Sequence, residues 1–277
     1  MNIRENFLNS KFYKFEKTNF SWYNNPVFKL KVNLPENKIF LALTKDPLIF
    51  LNSLKLDESE LNPDFLIFAS RHTSETARPA FLVHTTGNWS VEADFGGDPR
   101  ELSKTSALLQ KAAVLSLAKQ EFPTHLKNFS LDIEVTHHGP TNLEKPMIFM
   151  ELGSSEVEWI MINAGELITK AVIDTIFKYL ELREKRSEYI GLGFGGTHYA
   201  PNFYRLIKNK DVALSFICPK YYIQQLDEEL INKMINNTLE KVDYFIIDWK
   251  GTNSDDKKYL IPLLENFEIP IRKTKEF

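Results

Sequence analysis

The sequence predicts an α/β fold, a three-layer sandwich whose largely parallel or mixed central sheet is covered by helices on both faces. Two observations carry this. Short apolar runs bounded by turn residues, the pattern of strands buried on both faces, lie at 38–43, 64–69, 80–85, 131–136, 147–152, 189–194, 212–218 and 243–248. Between several of them lie stretches with helical spacing, at 103–120, 163–182, 226–240 and 254–266. Strands alternating with helices build a sheet through crossover connections.

Taken in order, residues 1–37 read as an aromatic-rich extension, with a soft boundary at Pro35-Glu36-Asn37, and residues 38–277 as a single catalytic α/β domain. Leu108, Leu109, Ala112 and Leu115 mark the apolar stripe of 103–120. In 131–136, Leu131, Ile133 and Val135 alternate with Asp132, Glu134 and Thr136, the period of a half-buried strand, and Gly139-Pro140 cannot continue it. His137 and His138 therefore stand at a strand's C-terminal end. Ser155, with Glu158 three residues on, has the form of a capping box and starts a helix directly after 147–152. Glu151 and Gly153 are left at a strand-to-helix turn. Leu167, Ile168, Val172, Ile176 and Leu180 form the stripe of 163–182.

Composition narrows the function classes. A chain of 277 residues with 43% hydrophobic content buries a substantial core. The lone Cys218 excludes an internal disulfide and a thiolate zinc cluster, fits a reducing cytosol, and ends the buried run Phe216-Ile217-Cys218. Arg4, Glu5, Lys11, Lys14, Glu16 and Lys17 break up any leader or membrane-spanning stretch in 1–28, so a soluble, cytoplasmic protein with no membrane partner is expected. A net charge of −3 excludes a strongly basic nucleic-acid-coating protein but not a local basic face. No internal repeat or low-complexity tract is visible.

The chemistry points to histidine. Of the six, His72, His84, His137, His138 and His198 each follow an apolar run, and only His125 lies elsewhere. Past the carboxyl ends of parallel strands, such side chains converge on one crevice. Convergence of at least three is expected, although an antiparallel strand would send its histidine to the opposite edge. Gly195-Gly196, opening the loop that carries His198 and Tyr199, would let backbone amides approach an anionic or carbonyl oxygen. The loop has neither GxGxxG nor P-loop spacing, so nucleotide-cofactor chemistry is unsupported. Arg71 and Arg78 could clamp phosphates. His84, Thr85, Asn88 and Trp89 make a mixed wall of the kind that stacks a base and holds a sugar, with Trp89 equally suited to the core. Glu92, Asp94, Glu134, Glu151 and Asp248 could orient an imidazole or bind metal. Zinc would draw on His72, His84, His137, His138, Glu151 and His198, yet no HExxH or CxxC spacing appears. His137 and His138 would point to opposite strand faces unless the following turn twists the second around. Metal-free histidine base catalysis is the competing reading. A serine nucleophile is set aside because no GxSxG is present.

Together, Ser70-Arg71-His72, Val83-His84-Thr85-Thr86-Gly87-Asn88, Glu134-Val135-Thr136-His137-His138-Gly139-Pro140-Thr141, Glu151-Leu152-Gly153-Ser154-Ser155, Gly193-Phe194-Gly195-Gly196-Thr197-His198-Tyr199-Ala200-Pro201 and Asp248-Trp249-Lys250-Gly251 resemble the archaeal and plant type of D-aminoacyl-tRNA deacylase. The resemblance runs in register from about Lys38 to the C terminus. It departs at Thr197, where a third glycine is expected, and at Asn202, where an arginine is expected. The second change puts a phosphate contact there in doubt. The resemblance implies a monomeric domain related to the nucleoside-phosphorylase and peptidyl-tRNA-hydrolase folds, cutting the ester between a D-amino acid and the terminal adenosine of tRNA, with zinc (Zn2+) associated. It implies catalytic roles among His137, His138, His198, Glu134, Gly195 and Gly196, with His137 or His138 as base and the glycine amides, with His198, as oxyanion donors. Substrate contacts would come from Arg71, Arg78, Thr85, Asn88, Thr141 and Tyr199, and the lysines of helix 163–186 would hold the acceptor strand. A zinc peptidase or amidohydrolase acting on small molecules, and a non-catalytic tRNA-binding module, are the alternatives.

Overall fold

The computed structural model describes residues 3–32 and 37–277; Pro35 and Glu36 of the expected boundary lie outside the described residues. In chain order the elements are α1 (Ile3–Leu8), β1 (Phe15–Trp22), β2 (Asn25–Leu30), β3 (Phe40–Leu41), β4 (Leu66–Arg71), β5 (Ala80–His84), α2 (Ala107–Ala118), β6 (Ser130–Ile133), β7 (Met147–Gly153), α3 (Glu156–Trp159), α4 (Ile162–Lys185), β8 (Tyr189–Phe194), α5 (Pro201–Asn209), β9 (Val212–Cys218), α6 (Glu228–Asn236), β10 (Tyr244–Ile247), α7 (Ser254–Leu264) and β11 (Ile271–Lys273).

Two four-stranded sheets form the middle layer. One has the order β4-β7-β5-β6, with β4 parallel to β7, β5 antiparallel to β7, and β6 parallel to β5. The other, β11-β10-β8-β9, is wholly parallel. They are stitched edge to edge just beyond β6. There the Thr136 N–H donates to the Ile217 carbonyl at 3.0 Å, the Ile217 N–H donates to Thr136 Oγ1 at 3.1 Å, and Thr85 Oγ1 donates to the Ser215 carbonyl at 2.9 Å. Alternation then divides the side chains between layers. Ile148, Met150 and Leu152 of β7, and Ile217 and Ile246 of the parallel sheet, join α2, α4 and α5 in one core. Leu192, Phe194, Phe216, Cys218, Phe245 and Ile247 pack against α6 and α7 on the other side.

The expected helix 103–120 is present as α2, which is buried nearly all round, as a helix at the centre of a domain should be. Its first turn is capped by Ser106, and the carboxylate of Glu240 accepts from the amides of Ala107 at 3.0 Å and Leu108 at 3.2 Å. The Ser155–Glu158 capping box starts α3 as the spacing predicts. Several elements escaped the pattern. α5 is short, though Phe203, Leu206 and Ile207 carry its buried stripe; β11 is a three-residue edge; and β1 and β2 form a hairpin through Tyr23 and Asn24, both left-handed, without the Asn-Gly or Asp-Gly pair that announces such a turn. Residues 3–32 are folded onto the body. Phe7 and Leu30 belong to the α2–α4 core, while Trp22 packs with Leu51, Leu54, Phe68 and Phe149 and donates its indole N–H to the Leu54 carbonyl at 2.8 Å.

Buried on α2, Lys111 pairs with Glu188 and donates to the carbonyls of Lys210 at 2.5 Å and Val212 at 3.2 Å. Removing one partner strands a buried charge, which costs more than replacing both. Lys111→Met should lower unfolding free energy by about 3–5 kcal/mol in urea titrations, and Lys111→Met with Glu188→Leu should recover most of that loss. A double variant no better than the single one overturns the assignment.

Candidate functional site

The site is built on β7. On the face opposite α2 and α4, Met147 and Phe149 are followed by Glu151, a buried carboxylate in an otherwise apolar row. Ser70 of β4 pairs with Glu151 in register and hydrogen-bonds its carboxylate. His72, just past β4, brings Nδ1 to 3.1 Å from Glu151 Oε2. His84 is the last residue of β5 and stands opposite Phe149, so its ring stacks on Phe149 (centroids 5.2 Å apart) and its Nε2 lies diagonally 3.6 Å from Glu151 Oε2. β5 does run antiparallel to β7. Its histidine nevertheless stays with the others, because the strand is short and the meeting place is a sheet face, not a shared carboxyl edge.

β6 runs beside β5 and delivers Glu134, His137 and His138, while His198 comes from the loop after β8. Glu134, the residue after β6, is buried; its Oε1 lies 2.8 Å from His198 Nε2 and its Oε2 lies 3.7 Å from His72 Nδ1. His138 adopts a left-handed backbone (φ +43°), which supplies the twist that adjacent histidines need to share one side. Their rings lie 4.4 Å apart; that of His137 is 4.5 Å from His84 and 4.9 Å from His198. Gly139 permits the turn, since a Cβ there would meet the Gly97 nitrogen at 2.3 Å and the Ile49 carbonyl oxygen at 2.5 Å. Five histidines and two carboxylates thus converge. His125 lies apart, against Asn163.

Backbone carbonyls orient the imidazoles. Nδ1 of His84, His137 and His138 lies 3.1, 2.8 and 2.6 Å from the carbonyls of Thr85, Val135 and Gly139. A carbonyl only accepts, so each neutral ring carries its proton on Nδ1 and keeps the Nε2 lone pair for the site. The buried His72 Nε2, His84 Nε2 and Glu134 Oε2 have no hydrogen-bond partner among the described residues. Three groups bring ligand atoms within 4.8 Å of one another: His84, His137 and His138; Glu134, His137 and His198; and His72, Glu134 and Glu151. Imidazole and carboxylate donors with unmade bonds are the donor set zinc takes. Glu134, left out of the zinc set drawn from the sequence, stands in two of these groups.

The surroundings divide the imidazoles. Burial pushes His72, His84, His137 and His138 down, but beside Glu151 and Glu134 that effect is outweighed and His72 and His84 are raised. Buried and facing other imidazoles, His137 is driven well below its ordinary value, and burial with the charge of His84 lowers His138 to about 4. Glu151, despite burial, is held well below the carboxylate range by His72 and His84.

The residues offered as substrate contacts fare unevenly. Thr85 is buried and spends its hydroxyl on Ser215 and Thr136 at the seam between the sheets. Asn88 donates to the carbonyls of Gly96 at 2.9 Å and Asp98 at 3.1 Å, so both residues build the frame. Trp89 is core, its indole donating to the Thr136 carbonyl. Arg71 stacks on Trp159, and Arg78 pairs with Asp132 over the ring of Tyr199, which itself flanks His198. Thr141 accepts from the Asp98 amide. The glycine amides are not free for an oxyanion: Gly195 N–H donates to the Cys218 carbonyl at 2.8 Å and Gly196 N–H to the Gly251 carbonyl at 3.1 Å. Both glycines hold positive φ, and a Cβ on Gly195 would strike Thr252. Of Glu92, Asp94 and Asp248, only Asp248 is buried, held by Asn202 and the Gly251 amide. Phe149 was missed, although the period of β7 puts it on the face of Glu151. Trp159 was missed too; its indole fixes the His72 carbonyl at 2.9 Å.

Because His138 stays neutral in the folded chain to about pH 4 while an unfolded histidine titrates near 6.5, the unfolded state binds the additional proton between those values. Its contribution to stability is therefore present above 6.5 and lost as pH falls toward 4. Chelator-treated protein should lose urea stability over that window more steeply than its His138→Gln variant, and equal slopes would contradict the buried neutral imidazole.

Comparison with known proteins agrees with this geometry. The family model described as D-aminoacyl-tRNA deacylase matches residues 59–272. A D-aminoacyl-tRNA deacylase of Thermococcus onnurineus is 34% identical over 272 residues, covering 97% of this chain and 93% of that protein. One of Pyrococcus abyssi is 34% identical over 276 residues, covering 99% and 95%, and one of Methanocaldococcus jannaschii is 36% identical over 208 residues, covering 73% and 79%. Among solved structures, the crystal structure of a conserved protein of unknown function matches with a TM-score of 0.79 and 32% identity, over 99% of this chain and 91% of that one. With the family model spanning most of the chain and relatives matching nearly end to end, the chain belongs to the D-aminoacyl-tRNA deacylase family.

Proposed function

We propose that this chain hydrolyses the ester that joins a D-amino acid to the terminal adenosine of tRNA, releasing the free D-amino acid and tRNA. The observation that carries the reading is the convergence of five oriented imidazoles on two buried carboxylates, with His198 at the solvent side of the cluster. Ester hydrolysis needs a water, a group to take its proton, and a means of returning that proton to the leaving oxygen.

The His198–Glu134 pair suits this work. Glu134 accepts the Nε2 proton of His198 at 2.8 Å, which fixes the ring and leaves Nδ1 for chemistry on the solvent side, and the His198 side chain is 38% exposed. Its Nδ1 takes the proton of water as the water oxygen attacks the ester carbon, then gives it to the departing ribose oxygen. His137 and His138, kept neutral by their neighbours, offer lone pairs beside it. The donor set fits zinc, which His84, His137 and His138 would hold. Zinc bound there would supply positive charge for the developing oxyanion and make a water more acidic.

tRNA needs cations free of carboxylate partners. Lys178 and Lys185 of α4 are paired with Glu181, which makes them weak candidates. Lys257 and Lys273 stand over the Trp249 ring, 4.5 and 4.3 Å from its centroid, and neither has an ion-pair partner among the described residues. Trp249 follows β10, the neighbour of the strand whose loop carries His198. The chain is expected to act as a cytoplasmic monomer; no described helix is long and apolar enough to cross a membrane.

D-tyrosyl-tRNA should be deacylated and L-tyrosyl-tRNA spared; equal rates on both would overturn the chirality. His198→Ala and Glu134→Gln should each reduce turnover by about 10²–10⁴-fold, with His125→Ala near wild type. Turnover of free N-acyl amino acids without tRNA would instead indicate an amidohydrolase. Purified protein should contain zinc, lose activity on chelation and regain it with added zinc. Full activity of metal-free protein would leave histidine base catalysis alone.

A further inference from the structure

We infer that the cavity beside the His138-Gly139-Pro140-Thr141 turn holds the terminal adenine of the tRNA, an assignment that rests on the proposed deacylase reading. The cavity measures about 310 Å³ and is lined by Phe50, Asn52, Gly96, Gly97, Thr141 and Asn142, among others. It is connected to the histidines by a short piece of chain. His138 and Thr141 are three residues apart, so their Cα atoms lie at most about 10 Å from each other. The base and the esterified hydroxyl belong to one nucleoside, which is the separation such a cavity must serve.

Three features point to a nucleobase. First, the floor is tightly packed and tied down. Gly96 and Gly97 both hold positive φ, a Cβ on Gly96 would fall 1.9 Å from the Ile49 carbonyl oxygen, and one on Gly97 would meet the Thr141 methyl at 2.7 Å. Asn88 clamps this loop through the carbonyls of Gly96 and Asp98, and the Phe95 carbonyl accepts from the Gly139 amide at 3.1 Å, tying the floor to the histidine turn. Second, the Phe50 ring lies against Gly96 yet is 55% exposed, an aromatic face left open at the mouth of a cavity. Aromatic side chains in such settings stack bases. Third, the polar groups match adenine. The Asn52 carboxamide has no partner among the described residues, and a carboxamide offers one donor and one acceptor in the spacing of adenine N6 and N7. Thr141 accepts from the Asp98 amide and keeps its own hydroxyl proton to donate.

Binding of AMP and of CMP to the purified chain, measured by calorimetry, tests this apart from catalysis. AMP should bind, CMP should bind far more weakly, and Phe50→Ala and Asn52→Ala should each weaken AMP by roughly tenfold or more. The melting temperature of Asn52→Ala, at an exposed residue, should be unchanged, and that variant carries the test if Phe50→Ala fails to fold. Both variants should raise KM for D-tyrosyl-tRNA more than they lower kcat. The assignment is overturned if AMP does not bind, if it binds both variants like the wild type, or if D-tyrosine is the ligand they lose, which would make this the amino-acid pocket. Loss of AMP binding in the variants of a chain that cleaves no D-tyrosyl-tRNA would overturn the deacylase reading and leave this one standing.

Discussion

A carboxylate buried in the middle of a sheet face must be neutralised or it destabilises the fold by several kcal/mol. Glu151 is such a group, and much of the site can be read as the answer to it. Ser70 comes from one neighbouring strand and His84 from the other, while His72 reaches over from the end of β4. Glu134 then sits close enough to His72 to share its charge. The imidazoles needed to bury the acids are in this way separated from those that remain neutral, so one compact cluster holds rings with opposed preferences for the proton.

The histidines and their strands could be read from sequence because the pattern was local: an apolar run, then a polar stop, repeated. Their meeting could not be derived so directly. β5 runs against β7, and only the register between Leu82 and Glu151 and between His84 and Phe149 shows that direction matters less here than face. The twist that brings His138 beside His137 lies in one residue's backbone, and a left-handed histidine has no signature beyond the Gly139-Pro140 that follows. The glycine pair at 195–196 was correctly placed on a loop after a strand, but its purpose was not legible. Its amides serve the carbonyls of Cys218 and Gly251, which only the fold brings near.

The N-terminal segment teaches a related lesson. Its charges and aromatics break any long periodicity, so it reads as an appendage. Trp22 and Val27 nevertheless cover Phe68, Met147 and Phe149 on the same sheet face that carries Glu151 farther along. Apolar residues scattered among charges still make a lid when a tight hairpin sets them on one side.

The seam at Thr85, Thr136, Ser215 and Ile217 has a consequence for how the site behaves as a whole. Glu151, His72 and His84 ride on one sheet, whereas His198 rides on the loop of the other, and the carbonyl of His198 accepts the Val135 amide right beside the seam. Each sheet satisfies most of its backbone hydrogen bonds internally. Opening the seam would disturb the core that α2 shares with both sheets and dissolve the cluster between them. Reactivity becomes a property of how the two sheets are aligned, and the helices packed across both of them hold that alignment.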